Sequence, residues 1–224
     1  MNKLCLIIYT LITFPFSAIW AQEAHEEIRR NDELSNFNWQ TGKGRLYTGL
    51  DYGLGFSVQN KPSRQIFVNS RVTFNATLSP SVGYFVYDRW LVGIHFDNAG
   101  SLLTQDYNNE YLLYYYTAGV FTRYYLKWGL FGELRYGYGD GIERLLLSGE
   151  KFKFDLNANN YTVGVGISNY WTRRVSFDVI ARYNYATLEY SYLKRANSDD
   201  DKFSNDGITI SAGISVILGK LPKD

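Results

Sequence analysis

The stretch "RLYTGLDYGLGFSV", residues 45–58, interleaves two different strings of residues. One parity reads Leu46, Thr48, Leu50, Tyr52, Leu54, Phe56, Val58; the other reads Arg45, Tyr47, Gly49, Asp51, Gly53, Gly55, Ser57. A β-strand sends alternate side chains to opposite faces, so this segment has one nearly continuous apolar face and one of glycine, hydroxyl and charge. Fold and function both turn on which face meets protein.

The same rhythm recurs almost to the end of the chain. Val72, Phe74, Ala76, Leu78 and Val82 alternate with Arg71, Thr73, Asn75, Thr77 and Ser81, and Pro80 falls in the apolar parity, where its missing N–H bends the strand. Trp90, Val92, Ile94 and Phe96 alternate with Gly93, His95 and Asp97; Tyr114, Tyr116, Ala118 and Val120 with Thr117, Gly119 and Arg123. Leu130, Leu134, Tyr136 and Tyr138 face away from Glu133, Arg135, Gly137 and Gly139, and Tyr161, Val163, Val165 and Ile167 from Thr162, Gly164, Gly166 and Ser168. Phe177, Val179, Ala181 and Tyr183 oppose Asp178, Arg182 and Asn184; Ile208, Ile210, Ala212 and Ile214 oppose Thr209, Ser211 and Gly213. The pattern predicts eight strands, all-β, in an antiparallel up-and-down arrangement.

The connections differ by end. Tyr87–Arg89, Lys127–Gly129 and Tyr170–Arg173 read as tight turns, whereas Asn60–Arg64, Asp106–Glu110, Asp140–Asp155 and Lys194–Asp206 read as polar and mostly longer loops. In a meander, alternate connections fall at opposite ends, so one end is trimmed and the other carries loops, as in outer-membrane barrels.

A soluble barrel would alternate as well, with its apolar face inward. The content of the other face separates the two. It is rich in glycine and serine, which suits the crowded interior of a narrow eight-stranded cylinder, rather than in the lysine and glutamate of a wetted sheet. Its charges also balance: Asp51, Asp97, Glu133 and Asp178 against Arg71, Arg123, Arg135 and Arg182. Unpaired buried charge is costly, so a filled lumen should hold matched ions, with His95 beside Asp97. Of these, Arg71 is the farthest from a tight turn and is expected above the membrane. The apolar parity carries no mid-strand charge, and aromatics gather near strand ends: Tyr84, Trp90, Tyr124, Trp128, Tyr170 and Trp171 at the short-turn end, Tyr111, Tyr114, Tyr138, Tyr183 and Tyr185 toward the loops. Two belts are expected at headgroup level. The reading is therefore a transmembrane β-barrel, apolar outside and polar inside.

Residues 1–21, "MNKLCLIIYTLITFPFSAIWA", have the order of a secretory signal peptide, with Lys3, an apolar run and small residues at the end, and cleavage is expected after Ala21, with Ala18 as the second choice. Cys5, the one cysteine, would leave with it, so no disulfide or cysteine-bound metal is expected. Residues 22–43 read as a polar, mobile periplasmic leader in which His25 is a solvated side chain, 44–219 as the barrel, and 220–224 as a short tail. The net charge of +1, without a basic aromatic platform, excludes a nucleic-acid partner.

Three stretches, "SPSVGYFVYDRWLVGIHF" (79–96), "LFGELRYGYGDG" (130–141) and "VGVGISNYWTRRVSFDVIARYNY" (163–185), resemble the small outer-membrane β-barrel domain family of Gram-negative bacteria, akin in architecture to the outer-membrane protein A and X barrels. The resemblance spans about 44–219. It implies the cell outer membrane, lipid and lipopolysaccharide as surroundings, the barrel assembly machinery as partner during biogenesis, and a monomer. Many such barrels end on an aromatic residue, whereas this chain ends "ISVILGKLPKD".

Residues 93–101, "GIHFDNAGS", faintly resemble the His-x-Ser-Asn stretch of outer-membrane lipid A deacylases, but Asp97 stands where the nucleophilic serine belongs. Asp199, Asp200, Asp201 and Asp206 offer oxygen ligands to a divalent ion without the glycine-punctuated spacing of a calcium loop, so a solvated loop is expected. Gly-x-Gly pairs inside alternating strands read as packing, and no cofactor is expected. The expected function is a structural or surface-interaction role in the envelope through the loops at 140–155 and 194–206. A narrow porin-like channel and a lipid A-modifying enzyme using His95 are the alternatives; the chain is not expected to be an enzyme.

Overall fold

The computed structural model describes residues 37, 40–60, 70–106, 109–147, 150–172, 174–191 and 202–219. Eight strands, β1 (Leu46–Asn60), β2 (Ser70–Tyr87), β3 (Trp90–Asp106), β4 (Asn109–Tyr125), β5 (Leu130–Leu147), β6 (Glu150–Tyr170), β7 (Val175–Tyr190) and β8 (Lys202–Leu218), follow one another around a closed antiparallel barrel. β1 closes onto β8 from Leu46↔Leu218 to Asn60↔Ser204, so no sheet edge is left to seek a partner at that seam. The signal peptide, the tail from 220 and Asp199–Asp201 lie outside the described residues.

The opening question is answered by burial. Leu50 is 52% exposed, Val165 64% and Ile210 65%, while Asp51 and Asp178 are buried at 1% and 0%. The apolar parity points away from the protein and the polar parity into the lumen. Such an exterior is stable only against hydrocarbon, so the barrel spans a membrane.

The lumen is packed by alternating large and small residues. Gly213 lies opposite both Asp51 and Asp178, and a Cβ there would collide with the Asp51 carboxylate, so glycine makes the room that an inward aspartate needs. Pro80 sits on the outer face opposite Leu50, and the ladder from β2 to β3 skips Ser79 and Pro80, where the ring nitrogen has no proton to donate. In the tight β4–β5 turn, Trp128 and Gly129 take positive φ of 65° and 79°, which reverses the chain and leaves the Trp128 ring on the outside.

Three expected loops are corrected. Residues 140–155 are not a long loop: β5 and β6 stay paired as far as Leu147↔Glu150. Pairing of β3 with β4 likewise runs to Asp106↔Asn109, and β8 begins at Lys202, inside the stretch expected as loop. Polar outward residues disguise these strand ends, because their apolar partners now lie on the inward parity. The end of the leader is corrected as well: Phe37, Gln40 and Thr41 are buried at the short-turn mouth, while residues 22–36, His25 among them, lie outside the described residues. The Phe37 ring meets Tyr170 edge-on at 5.4 Å, the Arg89 N–H donates to the Thr41 carbonyl at 2.6 Å, and Gln40 Nε2 donates to the Thr172 carbonyl at 2.5 Å.

A charge placed on the outer face tests the orientation. Val165→Arg should lower the unfolding free energy in phospholipid bilayers by about 2–4 kcal/mol, read from urea titration, because it puts a guanidinium at mid-depth in hydrocarbon.

Candidate functional site

Strand parity brings the luminal charges together from β1, β3, β4, β5 and β7. Arg123 and Glu133 are a cross-strand pair of the β4–β5 ladder, both pointing inward and both with fully buried side chains. Glu133 is the centre. Its Oε2 accepts from Arg123 Nε at 3.0 Å and Nη2 at 2.7 Å, and its Oε1 accepts from Arg135 Nε at 2.8 Å and Arg182 Nε at 2.9 Å. Asp51 Oδ2 ties two of these arginines together across the lumen, at 3.1 Å from Arg135 Nη2 and 2.6 Å from Arg182 Nη2.

Asp178 completes the lower side. Its Oδ2 accepts from Arg123 Nη1 at 2.9 Å and from the Ser215 hydroxyl at 2.9 Å, and its Oδ1 from the Ser168 hydroxyl at 2.6 Å. Arg123 also stacks its guanidinium 4.1 Å from the Phe131 ring centroid. Asp97 Oδ1 lies 3.2 Å from Arg135 Nη1 and its Oδ2 3.0 Å from His95 Nδ1; His95 Nε2 faces the Tyr136 carbonyl oxygen at 3.2 Å. Four carboxylates thus surround three guanidiniums, with the His95 imidazole beside Asp97. Arg71 pairs with Gln59 in the ladder, but its side chain lies outside the described residues.

Among the short-turn aromatics, Tyr84, Trp90, Tyr124, Trp128 and Trp171 are exposed on the outer face, and Trp90 Nε1 donates to Thr122 Oγ1 at 2.7 Å. Tyr170 is a correction. It is 7% exposed and points inward, because the outward parity of β6, Tyr161 to Ile167, continues to Asn169 rather than to Tyr170. Tyr111 is corrected for the same reason: it is 2% exposed, and its hydroxyl accepts from Gln59 Nε2 at 2.6 Å.

Toward the loops the outer face turns polar. Tyr114 donates to Asn98 Oδ1 at 2.5 Å, Tyr116 to Asp140 Oδ2 at 3.1 Å, Tyr136 to Asn159 Oδ1 at 3.4 Å and Tyr183 to Asp206 Oδ2 at 3.5 Å. Above that ring the inner face turns apolar: Leu113, Tyr115, Leu156, Ala158, Leu188, Tyr190 and Phe203 form a buried cluster. Below the ions, Tyr47, Phe85, Leu91, Phe121, Phe131 and Ile217 form another, into which Phe37 inserts. The ion cluster therefore lies between two apolar plugs.

Between the ions and the upper plug is a small polar cavity of about 20 Å³, lined in part by Asn75, Asn160 and Asn205. The amide oxygens of these three side chains are buried without a protein partner. A polar pocket of this size suits a water molecule. Neither the upper plug nor the cavity is anticipated by the sequence reading. The signal for the plug is a change of parity, visible in Leu156, Ala158, Ala186 and Leu188, where the apolar residues switch faces within one strand. Among the described residues, no group of three or more His, Cys, Asp or Glu is placed to hold a metal ion.

No protein-family model matches the chain, and no curated protein matches it. Solved barrels do. The chain is similar to Ail, the attachment invasion locus protein of Yersinia pestis, at 15% identity and a TM-score of 0.49 over 79% of this chain and 99% of that one. Neisserial surface protein A matches at 16% identity and a TM-score of 0.48, over 78% of this chain and 99% of the other. The N-terminal β-barrel domain of Pseudomonas aeruginosa OprF matches at 13% identity and a TM-score of 0.40, over 79% and 99%. What is shared is barrel shape.

Removing one partner from a buried ion cluster strands the others. Glu133→Gln should therefore cost about 3–5 kcal/mol in the same unfolding assay. Lys153→Gln breaks only the exposed 3.4 Å pair with Asp155 and should leave the midpoint unchanged.

Proposed function

We propose that the chain is a sealed outer-membrane barrel serving as a structural and surface-interaction protein of the cell envelope, with its working surface at the extracellular end. The observation that carries this reading is the exchange of faces along the upper strands. About ten tilted residues suffice to cross a bilayer, yet β5 has 18 residues and β6 has 21. Their surplus is a rigid wall with a polar exterior and an apolar core of its own. A barrel that only had to sit in the membrane would not need it.

The short turns face the periplasm in this reading, and lipopolysaccharide packs around the upper half of the apolar band. The barrel assembly machinery would meet Leu218, which takes the outward terminal position of β8 where many such barrels carry an aromatic. A narrow channel is less well supported, since ions would have to pass two apolar plugs and the Arg123–Glu133 layer. The placement of His95 in the lumen, 4% exposed and turned toward Asp97, supports a packing role for it rather than chemistry on lipid.

Planar-bilayer recording separates the readings: the folded chain should give no resolvable single-channel steps, and discrete conductance would overturn the sealed lumen. Lipid A mass spectra of cells carrying the native chain or His95→Ala should be the same; a lost acyl chain that returns with His95→Ala would reinstate the enzyme.

A further inference from the structure

The two rims of the barrel differ in charge pattern. On the loop side, outward charges are mixed in sign, with Asp140, Asp155, Glu189 and Asp206 against Arg144 and Lys153, and Lys153 is paired to Asp155. On the short-turn side, the charged residues with described side chains outside the lumen are Lys43, Arg45, Arg89 and Arg174, with Asp88 as the acid among them.

Backbone contacts set these four residues along one arc, with the Arg89 guanidinium on its mouth side, 5.4 Å from the Phe37 ring centroid. The Lys43 N–H donates to Asp88 Oδ1 at 2.7 Å, which joins it to the β2–β3 turn that contains Arg89. The Phe85 N–H donates to the Arg45 carbonyl at 2.9 Å, and the Arg45 side chain runs against Gly219, just after β8. The Ile217 N–H donates to the Arg174 carbonyl at 2.7 Å, bringing Arg174 to the same strand end. Exposed Tyr84, Tyr87, Trp90 and Trp171 border the arc on the apolar side, and Lys43 Nζ stands 5.4 Å from the Tyr87 ring centroid.

Aromatic rings at a strand end mark the headgroup level, and a cation just beyond them meets phosphodiester oxygens. We infer that this arc is a docking surface for anionic phospholipid headgroups of the periplasmic leaflet, of the phosphatidylglycerol type. The inference rests on the proposed orientation in the membrane. Asp88 offsets only part of the arc, one carboxylate against four cationic side chains. The continuous apolar band above the arc already commits this surface to lipid, and charge selects which lipid.

The test is quenching of tryptophan fluorescence by brominated lipids, with the full chain refolded in bilayers that mix phosphatidylcholine and phosphatidylglycerol. The relative association constant for brominated phosphatidylglycerol over brominated phosphatidylcholine should be roughly fivefold. It should fall to one in the combined variant Lys43→Gln, Arg45→Gln, Arg89→Gln, Arg174→Gln, and keep its value in Arg144→Gln, Lys153→Gln and in excess inorganic phosphate. If the combined variant loses its heat-modifiable gel shift, Lys43→Gln and Arg174→Gln, both at exposed positions, should each lower the preference part-way. A native constant of one, preference retained by the variants at the arc, equal loss in the loop-side variant, or abolition by free phosphate would each overturn the inference. Failure of any brominated lipid to quench would overturn the membrane reading itself, whereas equal quenching by both lipids overturns only the lipid preference.

Discussion

A carboxylate buried among three arginines constrains everything else in this barrel. Glu133 accepts from Arg123, Arg135 and Arg182 at once, and they arrive from β4, β5 and β7. Asp51 from β1 then has to hold Arg135 and Arg182, and Asp178 has to hold Arg123. A one-residue slip in any of these strands would send its charge into hydrocarbon and leave its partners unpaired, so the cluster fixes register in four strands at once. It also explains why the lumen tolerates so few large residues at that height, with Gly213 giving way to Asp51.

Polarity along the barrel axis follows from what lies outside at each height. Where the exterior is lipid, the exterior is apolar and the lumen ionic. Above the ring of hydrogen-bonded tyrosines the exterior is water, and the same strands reverse their faces to enclose Leu113, Leu156, Leu188 and Phe203. One sheet thus obeys membrane rules and then soluble rules within the length of a strand. The upper plug and the lower one, closed by Phe37, shut the ions off from bulk water, and this makes the cluster rigid as well as costly to disturb.

Most of the lower barrel was legible in the sequence, because a period of two with uniform parity is a strong signal where one face must be apolar. Strand number, lipid-facing residues such as Val165 and Ile210, and the inward parity of Asp51, Glu133 and Arg182 all follow from that rhythm. The upper strands were not legible in the same way. Asp140, Lys153 and Asp155 look like loop residues when polar side chains are taken as a break in the strand, although Leu156 and Ala158 preserve the alternation on the other face. Tyr170 and Tyr111 follow the inward parity of their strands rather than the aromatic belts, so ring identity alone does not show which way they point. Phe37 gave no periodic signal, since a single side chain that stops a mouth has no pattern around it.

The central claim is that neighbouring residues along each membrane-crossing strand face hydrocarbon and a solid, ion-filled lumen in turn. The most direct measurement places single cysteines at Ile210 and Thr209 in a chain whose Cys5 is replaced, and reads thiol labelling and lipid-nitroxide quenching in bilayers. A probe at 210 should be strongly quenched by nitroxide in the acyl chains, while the thiol at 209 should resist labelling until the barrel is unfolded. Ready labelling at 209 in the folded state, together with an unquenched probe at 210, would contradict the account.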